Sequence, residues 1–192
     1  MGNVTLWMQV SADGFVEGPN GEFDWPVVQG ELHQYFVDEL GRADTFLYGR
    51  KVYELMAYFW PTADEDPQGS EQQKAYSRLW KPMPKVVFSR SLGEADWNTR
   101  VADDAVAEVR RLREQPDSWH VLFGGAEVAG ALMQADLIDE YVLYVHPVAL
   151  GGGTPLFGGL DHRLGLELAG TRTFDPGVVQ LRYRYSAGDT RL

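Results

Sequence analysis

The chain has 192 residues, no cysteine, and 17 Lys and Arg against 28 Asp and Glu, a formal net charge of −11. Its length suits one domain with a substantial core, and 44% apolar with 12% aromatic residues excludes a disordered chain. The missing thiols exclude disulfides, cysteine nucleophiles and cysteine-ligated zinc, and the acidic balance argues against general nucleic-acid binding while leaving room for one small basic pocket.

Residues 1–10 lack the basic and long apolar segments of a secretory signal. The longest apolar stretches, such as residues 141–145, are too short to cross a bilayer. A cytoplasmic protein with no membrane partner is the expectation. Residues 4–10 are apolar and aromatic and end at Ser11-Ala12-Asp13-Gly14, which predicts a buried first strand running into a loop. Residues 17–24 have loop chemistry and close on Trp25-Pro26. Leu32, Tyr35, Phe36 and Leu40 recur at helical spacing over residues 31–40, with Gly41 at the end. A short strand over 45–48 leads through Gly49-Arg50-Lys51 into a helix over 52–57. An acidic loop over 63–70 and a short helix over 71–79 follow.

Residues 85–89 read as the third strand. Asp103 or Asp104 caps a helix in which Val106, Val109 and Leu112 share a face, stopping before Pro116. A strand over 119–123 ends on Gly124-Gly125, and residues 126–134 return to helix. A strand over 141–145 precedes a loop holding Gly151-Gly152-Gly153 and Pro155. Residues 166–174 and 178–185 predict a closing antiparallel pair, since Val179, Leu181, Tyr183 and Tyr185 alternate with Gln180, Arg182 and Arg184. Strand–helix alternation followed by paired strands predicts one α/β domain over 1–192, its sheet mostly parallel with an antiparallel edge.

No G-x-G-x-x-G, phosphate-loop, H-E-x-x-H or G-x-S-x-G motif occurs. His33, His120, His146 and His162 are scattered without ligand spacing, so they read as structural or surface groups and no metal is expected. Three strand-to-loop junctions carry positive signal. Arg50 and Lys51 sit where a helix begins, an unfavourable place for cations unless an anion lies between them and the backbone. Ser89 and Arg90 end a strand and together suit a phosphate monoester. Gly124-Gly125 lets a ligand approach the backbone ahead of a helix start that offers free N–H groups. Glu127 complicates this junction, because it repels a phosphate unless it points away. Surface turns are the alternative for each junction alone. Jointly the three describe a nucleotide cofactor with an extra phosphate, the requirement NADPH meets.

The ordered set 11–16 (Ser-Ala-Asp-Gly-Phe-Val), 18–25, 49–54 (Gly-Arg-Lys-Val-Tyr-Glu), 87–90 (Val-Phe-Ser-Arg), Gly124-Gly125, 137–140 and 147–157 resembles the dihydrofolate reductase-like superfamily. More narrowly, it is similar to stand-alone relatives of the reductase domain of the bifunctional riboflavin-biosynthesis deaminase/reductase. The resemblance spans nearly the whole chain. It implies a mainly parallel sheet with flanking helices and NADPH lying across the carboxyl ends of the strands. It also implies that Gly49, Arg50, Lys51 and Val52 hold the adenosine phosphate end, with Ser89 and Arg90 beside the 2′-phosphate. Gly124, Gly125, Ala126 and Glu127 would follow the diphosphate, and Val10, Ala12 and Val16 the nicotinamide. Residues 147–157 take a shaping role.

The resemblance implies an NADPH-dependent reductase of a small heterocycle, similar to 5-amino-6-(5-phosphoribosylamino)uracil reductase, moving hydride to a C=N or C=O carbon. Alternatives are a dihydrofolate or pterin reductase, or a non-catalytic NADPH-binding protein. Dihydrofolate reductases carry a carboxylate on the first helix. The comparable position here falls near His33, with Asp38 a turn further on, which argues against dihydrofolate. His33 is a candidate proton donor, and a partly exposed helix histidine is the alternative. No zinc-deaminase signature is present. Trp7, Gln9, Phe23, Trp25 and Phe36 are candidates for the substrate wall, core packing being the alternative for the aromatics. A homodimer is implied by the resemblance alone.

Overall fold

The computed structural model describes residues 1–186. In chain order the elements are β1 (Asn3–Ser11), β2 (Phe15–Glu17), α1 (Gly30–Leu40), β3 (Thr45–Gly49), α2 (Arg50–Phe59), a 3₁₀ turn (Trp60–Thr62), α3 (Glu71–Trp80), β4 (Lys85–Phe88) and β5 (Thr99–Ala102). There follow α4 (Ala105–Arg113), β6 (Trp119–Leu122), α5 (Ala126–Gln134), β7 (Glu140–His146), β8 (Thr154–Pro155), β9 (Leu166–Phe174) and β10 (Val178–Tyr185). Eight strands form one sheet in the order β5-β4-β3-β6-β1-β7-β10-β9. The strands from β5 to β7 run parallel, β10 is antiparallel to β7, and β9 is antiparallel to β10. The α/β class and the closing pair predicted from alternation are both present.

Alternation along β1 assigns the two layers. Val4, Leu6, Met8 and Val10 pack with Val109 and Leu112 of α4 and with Ala129, Leu132 and Met133 of α5. Trp7 faces the opposite layer, among Leu32, Phe36 and Leu40 of α1 and Tyr76 and Trp80 of α3. Each such side chain removed wholly from water contributes about 1.5–3 kcal/mol, so the sheet's central strands, filled on both faces, anchor the fold. The spacing of Leu32, Phe36 and Leu40 thus reports the α1 face that meets the sheet.

Three features were not predicted. β5 is short and half-exposed, with the pattern Thr-Arg-Val-Ala, and gives no apolar run to read. β2 and β8 pair as a separate two-stranded sheet, joining segments about 140 residues apart through a register irregularity. The predicted 52–57 helix starts earlier, at Arg50 directly after Gly49. Of the two possible caps for α4, Asp104 is the one used, its carboxylate accepting from the Ala107 N–H at 2.9 Å. The predicted single domain extends to residue 192, and residues 187–192 lie outside the described residues. No helix among the described residues is long and apolar enough to cross a membrane.

Candidate active site

The parallel strands end along one edge of the sheet, and two helix starts without side-chain caps meet there. α3 and α4 are capped by their own side chains, α3 through a reciprocal Ser70–Gln73 box. By contrast α2 begins at Gly49 and α5 at Gly125 with no side-chain cap, so their first N–H groups stay available. The two starts touch: the Gly49 N–H donates to the Gly124 carbonyl. A Cβ on Gly49 would lie 2.7 Å from the Gly125 nitrogen, so glycine is what permits the approach. At Gly125 a Cβ would meet nothing nearer than Val52 Cγ2 at 4.0 Å, leaving that backbone open on its other side. The Gly124–Gly125 peptide is cis.

Basic groups surround these donors. Arg50 and Lys51 are exposed on the first turn of α2, and Arg50 pairs with Glu54 at 3.0 Å one turn along. Both partners of that pair are about half exposed, so it contributes little and yields readily to a stronger anion. Val52, half-buried, packs toward the Gly125 turn. Ser89 Oγ accepts from the N–H groups of Ser91 and Leu92 at 3.2 and 3.0 Å, fixing the turn after β4 and leaving its own O–H to donate. Arg90 is exposed beside it. Ala126 and Glu127 open α5, with Glu127 exposed. The edge thus combines two uncapped helix starts with three cations, on a chain whose net charge is −11. That donor set fits a dinucleotide: diphosphate along the Gly125 backbone, a further phosphate among the cations.

Val10 near the end of β1 and Val16 in β2 are buried in the core layer beneath the edge, whereas Ala12, in the turn between them, is exposed. The turn is held by Asp13, whose carboxylate accepts from the Ser11 hydroxyl at 2.7 Å and from the N–H groups of Leu150 and Gly151 at 3.1 and 2.8 Å. Those three donors pull its pKa down to about 2. The Ala12 N–H donates to the Val148 carbonyl at 2.7 Å, so residues 147–153 are tied to the same turn. That is how the 147–157 segment shapes this end of the edge.

A second cluster lies on the α1 side of β1 and β7. Gln9 Oε1 meets His146 Nε2 at 2.6 Å, and the Val27 N–H meets His146 Nδ1 at 3.3 Å. Trp25 stands edge-on to the His146 ring at 5.5 Å and to Phe23 at 5.7 Å, and its indole N–H is buried without a partner. Burial lowers the His146 pKa to about 4, so the ring is neutral. Trp7 and Phe36, two further sequence candidates for the substrate wall, are core residues, 2% and 7% exposed and packed against Tyr144. Gln9 and Trp25 are therefore brought together, with Phe23 beside them, and Trp7 and Phe36 lie beneath. His33 is not a partly exposed helix residue. It is 6% exposed, wedged between Trp60 and Tyr76 where α1 meets α3, and burial lowers its pKa. It lies apart from the Gln9–His146–Trp25 cluster, with no hydrogen bond or ring contact to it among the described residues.

His146 is the residue the scattered-histidine reading passed over. The one available signal was its place as the last residue of a strand, at the carboxyl edge where ligands of open α/β sheets collect. Its partners lie 119 and 137 residues away in sequence, beyond any local pattern. Among the described residues no group of three His, Asp or Glu is placed to hold a metal.

This edge, with helix starts opening on the carboxyl ends of parallel strands, is the architecture of a dihydrofolate reductase-like domain. The chain belongs to the RibD C-terminal domain family, whose description it matches over residues 3–180. It is 38% identical over 186 residues to uncharacterized protein YyaP of Bacillus subtilis strain 168, covering 95% of both chains. Uncharacterized protein YwjB of the same organism is 31% identical over 181 residues, covering 93% of this chain and 95% of that one. Among solved structures, a putative riboflavin biosynthesis protein from Shewanella sp. PV-4 superposes with a TM-score of 0.73 at 21% identity, covering 96% of this chain and 99% of that one. The diaminohydroxyphosphoribosylaminopyrimidine deaminase/5-amino-6-(5-phosphoribosylamino)uracil reductase of Thermotoga maritima gives 0.66 at 16% identity, covering 96% of this chain and 56% of that one. A pyrimidine reductase-like protein from Corynebacterium diphtheriae gives 0.63 at 12% identity, covering 97% and 92%.

Proposed function

We propose that the chain is an NADPH-dependent reductase of a small heterocyclic substrate, of the kind that 5-amino-6-(5-phosphoribosylamino)uracil reductase represents. The observation that carries the proposal is the juxtaposition of the uncapped Gly49 and Gly125 helix starts, flanked by Arg50, Lys51, Ser89 and Arg90. Membership of a reductase-domain family supports it. The cofactor, when bound, would supply hydride to a polarised C=N or C=O carbon of the substrate, the π electrons passing to the heteroatom, which takes up a proton. The N–H groups at Gly125 and Ala126 bind the diphosphate. The cations at 50, 51 and 90 and the Ser89 hydroxyl take the additional phosphate that separates NADPH from NADH. The Asp13-braced turn sets the height of Ala12 against the nicotinamide end. Gln9 and Trp25 hold the substrate ring, and Phe23 shields that end from water.

Saturable NADPH binding sets this reading apart from a fold relative with another ligand. NADPH oxidation with a pyrimidine or pteridine substrate removes a purely nucleotide-binding role. A titration of NADPH and NADH by quenching of the Trp fluorescence, on wild type and Arg50→Ala, tests the cofactor half. Tight NADPH binding, weaker NADH binding and loss of the difference in the variant are expected. Failure of both nucleotides to bind refutes the reading.

A further inference from the structure

The cluster at the ends of β1 and β7 has a direction that follows atom by atom. A backbone N–H is a donor only, and that of Val27 meets Nδ1 of His146, so Nδ1 is the bare nitrogen of the ring. The ring is 1% exposed, with no carboxylate paired to it among the described residues. A cationic ring would lose its hydration with nothing to offset the loss. Nε2 therefore carries the one proton and donates it to Gln9. The atom of Gln9 that receives it must be an acceptor, which fixes the amide with its carbonyl toward His146 and its NH₂ away. That NH₂ has no hydrogen-bond partner among the described residues. The indole N–H of Trp25, against the same imidazole, is also unpartnered and buried. The free side-chain polar groups of the cluster, the Gln9 NH₂ and the Trp25 indole N–H, are both donors.

We propose that Gln9 is a specificity-determining residue that presents fixed N–H donors to an exocyclic carbonyl of a substrate ring, and that His146 is the positioning residue that fixes the direction of the Gln9 amide. The proposal rests on the reductase reading only in calling the ring a substrate, and it gives that reading a chemical class. A ring with an amino group at this position sets donor against donor and leaves buried groups unpaired, a disadvantage of about ten- to a hundredfold in affinity. Gln9→Glu keeps an acceptor toward His146 and replaces the outward donor with an acceptor, so it inverts the preference. His146→Ala frees the amide to rotate and erases the preference without inverting it.

Two measurements test this, neither involving a nucleotide, so failure here and failure of NADPH binding are separable. The first is ¹⁵N NMR of the His146 ring in the wild-type chain. A protonated Nε2 with a bare Nδ1 is expected, and a proton on Nδ1, alone or with Nε2, overturns the proposal. The second is Trp-fluorescence titration with pteridine-2,4-dione and 2,4-diaminopteridine near neutral pH. Wild type is expected to favour the dione by at least about tenfold, Gln9→Glu to favour the diamine, and His146→Ala to bind the two alike. Equal affinities in wild type, retention of the dione preference in Gln9→Glu, or no saturable binding of either pteridine to wild type overturns it.

Discussion

Substituting alanine at Gly49 and at Gly125 separates packing from ligand access at the shared turn. Gly49 has φ −73° and ψ 157°, a conformation open to any residue, so the whole effect of Gly49→Ala is spatial. Its new Cβ would lie 2.7 Å from the Gly125 nitrogen and 3.5 Å from the Gly124 oxygen, both backbone atoms that cannot swing aside. Ordinary separations of about 3.5 Å require the two helix starts to part by several tenths of an ångström. Overpacking of this kind costs about 1–3 kcal/mol, which for a chain of this size lowers Tm by about 2–12 °C. Gly125→Ala places its Cβ 4.0 Å from Val52 Cγ2, an ordinary contact. The change costs less than about 1 kcal/mol, mostly from replacing glycine at a helix cap. It does fill the space through which a diphosphate reaches the backbone, so NADPH affinity falls about tenfold or more. Thermal unfolding and fluorescence titration on the two variants check the pair. An unchanged Tm in Gly49→Ala, or wild-type NADPH affinity in Gly125→Ala, refutes the reasoning.

Arg90→Ala is expected to weaken NADPH several-fold and leave NADH unchanged, since Arg90 is exposed beside Ser89, where the proposal seats the additional phosphate; parallel titrations decide it. The folded pKa of Asp13, depressed to about 2, means its tether is fully stabilising above the ordinary value of 3.8 and is lost as pH falls from there through about 2. Amide exchange at Leu150 and Gly151 should accordingly accelerate in that window and in Asp13→Ala at every pH. Burial of neutral His146 lowers its pKa from 6.5 to about 4, so its contribution is complete above 6.5 and falls away as acidification approaches 4. His33 and His120, also lowered by burial, act in the same direction, and His146→Gln should make the loss of stability over that range less steep without abolishing it. Tyr48→Phe leaves the buried Trp80 indole N–H, which donates to Tyr48 Oη at 3.1 Å, without an acceptor. Urea unfolding should show a loss of about 1–3 kcal/mol.

What the sequence revealed and what it hid divide along range of interaction. The α1 face of Leu32, Phe36 and Leu40 is periodic because that helix meets the core along one side, whereas the alternation of β10 showed only one of its two packed faces: Leu181, Tyr183 and Tyr185 pack against one layer, and Gln180, which read as outward, is buried against Tyr144 on the other. The Gly124-Gly125 junction was legible because a close backbone approach leaves glycines behind. β5 left no trace because a short half-exposed edge strand buries no continuous row, and its entry turn uses Trp97 and Asn98 at positive φ, residues outside the usual glycine signal. His146 was hidden for another reason: its chemistry is set by Val27 and Gln9, which only the fold brings to it. His33 shows the converse, since helical spacing located its element but not Trp60 and Tyr76, which bury it.

The central claim is that the carboxyl edge between Gly49 and Gly125 holds a phosphorylated nicotinamide dinucleotide. Mapping amide shifts by ¹H–¹⁵N NMR as NADPH is added to the wild-type chain tests it most directly. The largest changes are predicted at Gly49, Arg50, Lys51, Ser89, Arg90, Gly125 and Ala126, with smaller ones at Ala12. Changes confined to the opposite edge, around Trp97–Arg100, or none at saturating NADPH, would contradict the account.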